Sequence, residues 1–233
     1  MKGRISSFNS MGAVDGPGLR CVVFMQGCSL RCPYCHNPET WEIGGGEEIS
    51  VEALAAMIDR FRSYIINSGG VTVSGGEPLL QWQFVRELFR RLKEKGYHTA
   101  LDTSGTAGIS EALQVLEFTD LVIADLKFTD SLDFRSYCGG DLQKVFDFLD
   151  LTAKKNIPLW IRQVIVPGIN DTARSVHELK KASSRYRNLE KIELLPFRKI
   201  CRAKYDSLGI PFPLRDTPEC SPETINALQE LLE

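Results

Sequence analysis

The chain has 233 residues, enough for one domain of barrel size, and its 43% hydrophobic and 25% charged residues suit a globular protein with a large core. A net charge of −2, from 28 basic and 30 acidic residues, gives no support to a nucleic-acid partner. No apolar run reaches membrane-span length, and Met1-Lys2-Gly3-Arg4 is not followed by a signal-peptide core, so no membrane is expected and the cytoplasm is the expected location.

Strand-like and helix-like segments alternate, with no short repeat and no low-complexity tract. Residues 19–25 read as a β-rich strand that ends at a cysteine loop. Residues 51–66 carry Leu54, Ile58, Phe61 and Ile65 at helical spacing, behind Ser50 as N-cap. A short strand is predicted over 71–74, then a helix over 81–95 closed by Gly96. A strand over 98–103, a helix over 110–116 and a strand over 121–127 follow. Next come a helix over 142–155, a strand over 159–166, a helix over 172–185, a strand over 191–196 and a last helix over 222–232. Six strands, each followed by a helical segment, build a parallel sheet through right-handed crossovers. A closed barrel would need eight such units, so the pattern predicts an α/β fold: an incomplete (β/α)6 TIM-like barrel, open on one side. The runner-up is a flat doubly wound sheet. One domain over 1–233 is expected, with 197–233 as a C-terminal helical extension. Either architecture puts functional groups at the C-terminal ends of the strands.

The first strand end carries Cys28, Cys32 and Cys35, spaced Cys-x3-Cys-x2-Cys, with Tyr34 before the last. Seven cysteines, an odd number with three clustered, point to metal rather than to a disulfide framework. Three thiolates can hold three irons of a 4Fe–4S cubane and leave the fourth open. An open metal position is a place for chemistry. With His36 the same cysteines could instead close a zinc site, although ligands adjacent on one turn suit a tetrahedron poorly. The next cysteine, Cys138, lies about a hundred residues on, and no fourth cysteine is expected near the loop. Cys138, Cys201 and Cys220 are expected among turn residues, and Cys21 inside a strand as a small buried hydrophobe.

The later strand ends carry Ser74-Gly75-Gly76-Glu77-Pro78, Asp102-Thr103-Ser104-Gly105 and Asp125-Leu126-Lys127, and the fifth strand carries Arg162. Each has a plain explanation alone: glycine pairs make turns, aspartates cap helices, and a lysine can be solvated. Together they gather polar groups on one rim. Arg162, beside Val164, Ile165 and Val166, is expected to be buried and to need a partner.

The cysteine motif together with Gly75-Gly76-Glu77-Pro78 resembles the radical S-adenosylmethionine (SAM) superfamily. Asp15-Gly16-Pro17-Gly18-Leu19-Arg20, Gln26-Gly27-Cys28, Tyr34-Cys35-His36-Asn37, Asp102-Thr103-Ser104-Gly105, Asp125-Leu126-Lys127 and Trp160-Ile161-Arg162 resemble the activating enzymes of glycyl radical enzymes. The likeness runs from Gly3 to about Pro196. It implies an oxidoreductase in which the open iron is chelated by the amino and carboxylate groups of SAM. One electron then splits SAM into methionine and a 5′-deoxyadenosyl radical, which takes a hydrogen atom from a glycine of a partner protein. The residues it implies as catalytic are Cys28, Cys32, Cys35 and Lys127. Tyr34, His36 and Asn37 would flank cluster and SAM, Gly75, Gly76 and Glu77 would meet the SAM amino group, and Asp125, Leu126 and Lys127 would line the SAM pocket. Asp102, Thr103 and Asp125 would hold a monovalent cation, Na or K. Asp15 and Arg162 would hold the substrate's glycine loop. Arg198 stands where many relatives carry a histidine, and no site residue is carried over from 199–233. Residues 38–50 hold no cysteine-rich insert, and this short form favours pyruvate formate-lyase or a close homologue as protein substrate over another glycyl radical enzyme or a small molecule. The implied reductant is flavodoxin or a ferredoxin.

Overall fold

A computed structural model describes residues 1–232. Its strands are β1 (Lys2–Gly12), β2 (Arg20–Met25), β3 (Glu47–Ser50), β4 (Gly70–Gly75), β5 (Thr99–Thr103), β6 (Leu121–Asp125), β7 (Leu159–Ile165) and β8 (Leu189–Pro196). They form one sheet in the order β3-β1-β2-β4-β5-β6-β7-β8. From β2 to β8 every neighbouring pair is parallel and follows chain order. A doubly wound sheet needs a point where that order reverses, and this sheet has none. Right-handed crossovers that always advance the same way put the helices on one face and leave the other to line an interior. The six parallel strands are those the sequence predicts. β3 and β8 stay apart as edges, so the barrel is open.

Two antiparallel strands add to the six, β1 against β2 and β3 against β1. Both escaped the periodicity. Only Gly3, Ile5 and Gly12 of β1 are buried among its serines and asparagine, and β3 has four residues.

The helices are α1 (Val51–Asp59), α2 (Arg62–Ile65), α3 (Trp82–Glu94), α4 (Ile109–Leu116), α5 (Ser131–Asp133), α6 (Leu142–Lys155), α7 (Ala173–Ser183), α8 (Arg202–Leu208) and α9 (Pro222–Glu230). Ser50 caps α1 by accepting from the Ala53 amide at 3.1 Å, as expected. The single helix expected over 51–66 is two pieces, because Phe61 leaves helical geometry between α1 and α2. α5 runs into a π-helical turn, Phe134–Cys138; neither this turn nor α8 was predicted. Among the described residues no helix is long and apolar enough to cross a membrane.

One core joins the outer face of the sheet to the helices, with Val73, Leu101, Val122 and Ile161 against Leu54, Leu88, Phe89, Val145 and Phe148. Burying each large apolar side chain contributes about 1.5–3 kcal/mol. The inner face is different. Low in the barrel it carries a small apolar cluster of Ala100, Leu121 and Ile123 with Trp160 packed on it. Two residues further along the same strands, on the same face, stand Asp102, Asp125 and Arg162. The alternation of strands thus lifts polar groups from an apolar floor to the C-terminal rim.

Candidate active site

One cavity opens at that rim. The cysteine loop after β2 gives it Cys28, Cys32, Tyr34, Cys35, His36 and Asn37. The strand ends add Ser74, Gly75, Gly76, Asp102, Thr103 and Asp125, with Lys127 just beyond, and β7 adds Arg162. Asp15 reaches it from the loop between β1 and β2. Register explains part of this meeting, since Asp125 pairs with Arg162 and Arg162 with Glu193 across β6, β7 and β8.

Main-chain bonds tie the cysteine loop to the β4 turn. The Gly76 amide donates to Met25 O at 3.0 Å and the Glu77 amide to Gly27 O at 2.8 Å. Gly75 has φ +110, and a Cβ on Gly76 would stand 2.2 Å from Gly27 O. Both positions therefore need glycine, one for its backbone angle and one for close approach. On the other side the C-terminal segment grips the loop. The Tyr205 hydroxyl donates to Cys35 O at 3.2 Å, and Lys204 Nζ donates to Asn37 Oδ1 at 2.8 Å. His36 Nε2 lies 3.0 Å from Arg198 O. No local sequence pattern marks Lys204 or Tyr205, because such reach can come from many residue types.

The three cysteines line one wall without converging on a point. Among the described residues no group of three or more His, Cys, Asp or Glu side chains could hold a single metal ion. A closed zinc site with His36 would need its four donors about 2.0–2.3 Å from one centre, and His36 Nε2 instead lies 3.0 Å from Arg198 O. Thiolates of a cubane bind separate irons, and three soft donors on one wall fit that group. Burial pushes the Cys28 thiol up to about 12 and raises Cys35 as well. The positive charge of a bound metal would favour the loss of those protons.

Cys138 corrects the expectation that no fourth cysteine lies near. Its carbonyl accepts from the amide of Arg31, the residue before Cys32, at 2.9 Å. Tertiary folding brings this contact across about a hundred residues of chain. Cys138 does not line the cavity, so it offers no fourth donor there. Like Cys201 and Cys220 it is buried.

Two other expected contacts do not line the cavity. The Glu77 carboxylate accepts from Thr103 Oγ1 at 2.6 Å, from the Ser104 amide at 3.0 Å and from the Leu79 amide at 3.1 Å. It pins the β4 turn to the end of β5 and faces inward. Leu126 is fully buried in the core, and its amide donates to Arg162 O at 3.0 Å.

The remaining polar groups form a charged wall. Asp102 accepts from Ser74 Oγ at 2.7 Å and lies 3.9 Å from Arg162 Nη1. Burial, and then the Asp125 carboxylate, raise Asp102 to about 7 against the opposing pull of Arg162 and Ser74. Lys127 Nζ donates to Asp125 Oδ2 at 2.8 Å. Burial alone would lower that ammonium, but Asp125 and the neighbouring Cys32 and Tyr34 hold it well above its usual value. Arg162 has the partner a buried cation needs: Nε donates to Glu193 at 2.9 Å, and Nη2 donates to Val14 O at 2.6 Å. The second bond anchors the Asp15 loop. Arg20, fully buried and missed as a site support, anchors it from below by donating to Pro17 O at 3.0 Å and Thr72 Oγ1 at 2.7 Å. Thr72 Oγ1 in turn donates to Asp15 O at 2.6 Å.

Residues 14–145 match the family described as a 4Fe–4S single cluster domain. Over 231 residues the chain is 42% identical to the pyruvate formate-lyase-activating enzyme of Clostridium pasteurianum, covering 99% of this chain and 97% of that protein. Among solved structures it is similar to a domain of pyruvate-formate lyase-activating enzyme from Bacteroides vulgatus, with 25% identity, a TM-score of 0.59 and coverage of 71% of this chain and 93% of that one. A radical SAM methyltransferase from Sphaerobacter thermophilus shares the fold at 16% identity and a TM-score of 0.66, over 91% of this chain and 63% of that one.

Proposed function

The chain belongs to the family of pyruvate formate-lyase-activating enzymes, and we propose that it is the radical SAM activase of a pyruvate formate-lyase. The observation that carries this reading is one cavity shared by three cysteines, a glycine turn and a wall of carboxylates. Cys28, Cys32 and Cys35 would hold a 4Fe–4S cluster and leave one iron to SAM. When bound, that pair supplies one-electron cleavage of the sulfonium to a 5′-deoxyadenosyl radical, which takes a hydrogen atom from a glycine of the partner and leaves a glycyl radical there.

The chain's own residues orient the ligands and exclude water. Gly75 and Gly76 let main chain approach the SAM amino group, while Glu77 acts behind them by fixing their turn. Tyr34, His36 and Asn37 flank cluster and SAM. Asp125 and Lys127 face the SAM pocket as a balanced pair, with Leu126 seating them from the core. Asp102, Thr103 and Asp125 offer hard oxygens to a monovalent cation, Na or K. Asp15 and Arg162 hold the substrate's glycine loop, which enters through the open side of the barrel. Residues 1–233 act as one domain, and the extension 197–233 braces the cysteine loop. Flavodoxin or a ferredoxin delivers the electron, in the cytoplasm.

Anaerobically purified protein is expected to be brown and to hold about four irons per chain. With SAM, a one-electron reductant and pyruvate formate-lyase it should produce the glycyl radical signal by electron paramagnetic resonance (EPR). SAM cleavage without that signal would move the activity to another glycyl radical enzyme or a small molecule. Folded protein loaded with zinc and no iron would end the reading.

A further inference from the structure

Arg20 is fully buried at the start of β2 and, among the described residues, is held by hydrogen bonds and by no ion pair. Its Nε donates to Thr72 Oγ1 at 2.7 Å, Nη1 to Pro17 O at 3.0 Å and Nη2 to Val71 O at 2.9 Å. Nη2 also lies 3.1 Å from His98 Nδ1. A guanidinium has no acceptor, so His98 Nδ1 carries no proton in this contact and accepts. The imidazole is then neutral, with its hydrogen on Nε2.

Carbonyls and a hydroxyl keep their charge near neutral pH, whereas the His98 ring can change its own. His98 stands half-buried just before β5, within reach of water. A protonated ring could only donate, and it would set a second cation against a buried one. Four charged groups face His98: Arg20 from β2, Lys93 from α3, Asp120 just before β6 and Glu190 from β8. Burial, and then Arg20, lower His98 below its ordinary range; Lys93 adds to them, and Asp120 and Glu190 oppose. The neutral ring is therefore the folded form near pH 7, and its contact with Arg20 is lost as pH falls through a value below about 6.5.

The other end of the guanidinium holds the loop between β1 and β2. Pro17 O is one of its acceptors, and Thr72 extends the hold by donating to Asp15 O at 2.6 Å. A Cβ on Gly16 would stand 3.0 Å from Arg20 Cδ, so loop and arginine stem are packed closely. The same loop brings Asp15 to the cavity.

We propose that His98 is a positioning residue: its neutral ring, acting through Arg20, holds the Asp15 loop in place for the glycine loop of the protein substrate, and its protonation releases that loop. This rests on the substrate role given to Asp15 above.

The test compares iron-loaded wild type, His98→Asn and His98→Leu at about pH 5.5 and about pH 8, on either side of the imidazole range. Asparagine keeps an acceptor and does not titrate; leucine keeps bulk and accepts nothing. Hydrogen–deuterium exchange over residues 13–19 is read as variant against wild type at matched pH, which cancels the pH dependence of exchange itself and of Asp102. At the higher pH wild type and the asparagine variant should exchange alike. At the lower pH wild type should exchange about tenfold faster than the asparagine variant, as loss of one charge-assisted hydrogen bond allows. The leucine variant should exchange fast at both. KM for pyruvate formate-lyase should follow the same pattern, with SAM cleavage in its absence unchanged. Equal exchange in wild type and the asparagine variant at the lower pH would overturn the proposal, and so would release of the loop with no rise in KM. Should the leucine variant fail to fold, wild type against asparagine decides alone. Absence of a glycyl radical with all three proteins would instead sink the activase reading, while exchange still decides whether His98 holds the loop.

Discussion

The cysteine loop is gripped from two sides, and the grips differ in kind. On the β4 side the contacts run from main chain to main chain, through the Gly76 and Glu77 amides and carbonyls of Met25 and Gly27. On the α8 side they run through side chains, from Tyr205 and Lys204. At Gly76 the two main chains approach so closely that a Cβ is excluded, which forces glycine at that place. A side-chain grip forces nothing so narrow. The first holds by shape and the second by reach, which predicts that damage to the first is abrupt and damage to the second graded.

Gly76→Ala is the hardest blow to the first grip. The added carbon would meet Gly27 O at 2.2 Å, Gly27 C at 2.8 Å and Thr40 O at 3.2 Å, all main-chain atoms that cannot swing aside. Overpacking of this kind costs about 1–3 kcal/mol or more, and a shift of about 1 Å at a reacting site can cost about a hundredfold in rate. The expected result is a lowered melting temperature and loss of SAM cleavage by about two orders of magnitude. Near wild-type SAM cleavage in a fully iron-loaded variant would break the contrast.

Arg162→Lys asks whether a shape-held contact also governs the floor of the cavity. Lysine keeps the charge but loses the fork that reaches Glu193 and Val14 O together. The Asp15 loop should loosen while the cysteine loop is untouched. Glycyl radical formation is expected to fall by about tenfold, with SAM cleavage in the absence of protein substrate changing much less. Equal loss of both activities would contradict a role at the substrate.

The same division explains what could be read from the sequence. The six parallel strands and the residues at their ends were legible because buried strands are dense in Val, Ile and Leu and their ends carry glycine and acids. The absence of a reversal in strand order, which distinguishes barrel from doubly wound sheet, is a property of the assembled sheet. β1 was hidden by its polar residues. The inward turn of Glu77 was hidden because a carboxylate after two glycines looks the same whether it faces a ligand or Ser104. Cys138, Lys204 and Tyr205 reach the loop from distant parts of the chain, and no local pattern reports such contacts.

Asp102 tests the charged wall on its own. Its folded value is raised to about 7, first by burial and then by Asp125. An acid raised in this way binds its proton more tightly folded than unfolded. The stability tied to that proton is full below the ordinary aspartate range and is lost as pH rises towards about 7. In buffers without Na or K, wild type should therefore lose several degrees of melting temperature between about pH 5 and pH 8. Asp102→Asn should flatten that slope. Added K or Na should restore wild type at the higher pH and leave the asparagine variant unchanged; a slope equal in both proteins would remove Asp102 from the account.

Tyr205→Phe is the mildest test and the one that bears most directly on the contrast between the two grips. It deletes one hydroxyl, whose hydrogen bond to Cys35 O at 3.2 Å contributes about 0.5–1.5 kcal/mol. The ring stays, and with it the edge contact to Trp41 and the tilted contact to Phe212. The expected loss is about fivefold in SAM affinity, with iron content unchanged. Lys204→Met should cost less still, since the Lys204 side chain is 42% exposed and its contact with Glu39 is screened by water. If Tyr205→Phe instead emptied the cluster site as completely as Gly76→Ala, the α8 grip would also be holding by shape, and the Cys35 carbonyl would be the point on which the loop's fold turns.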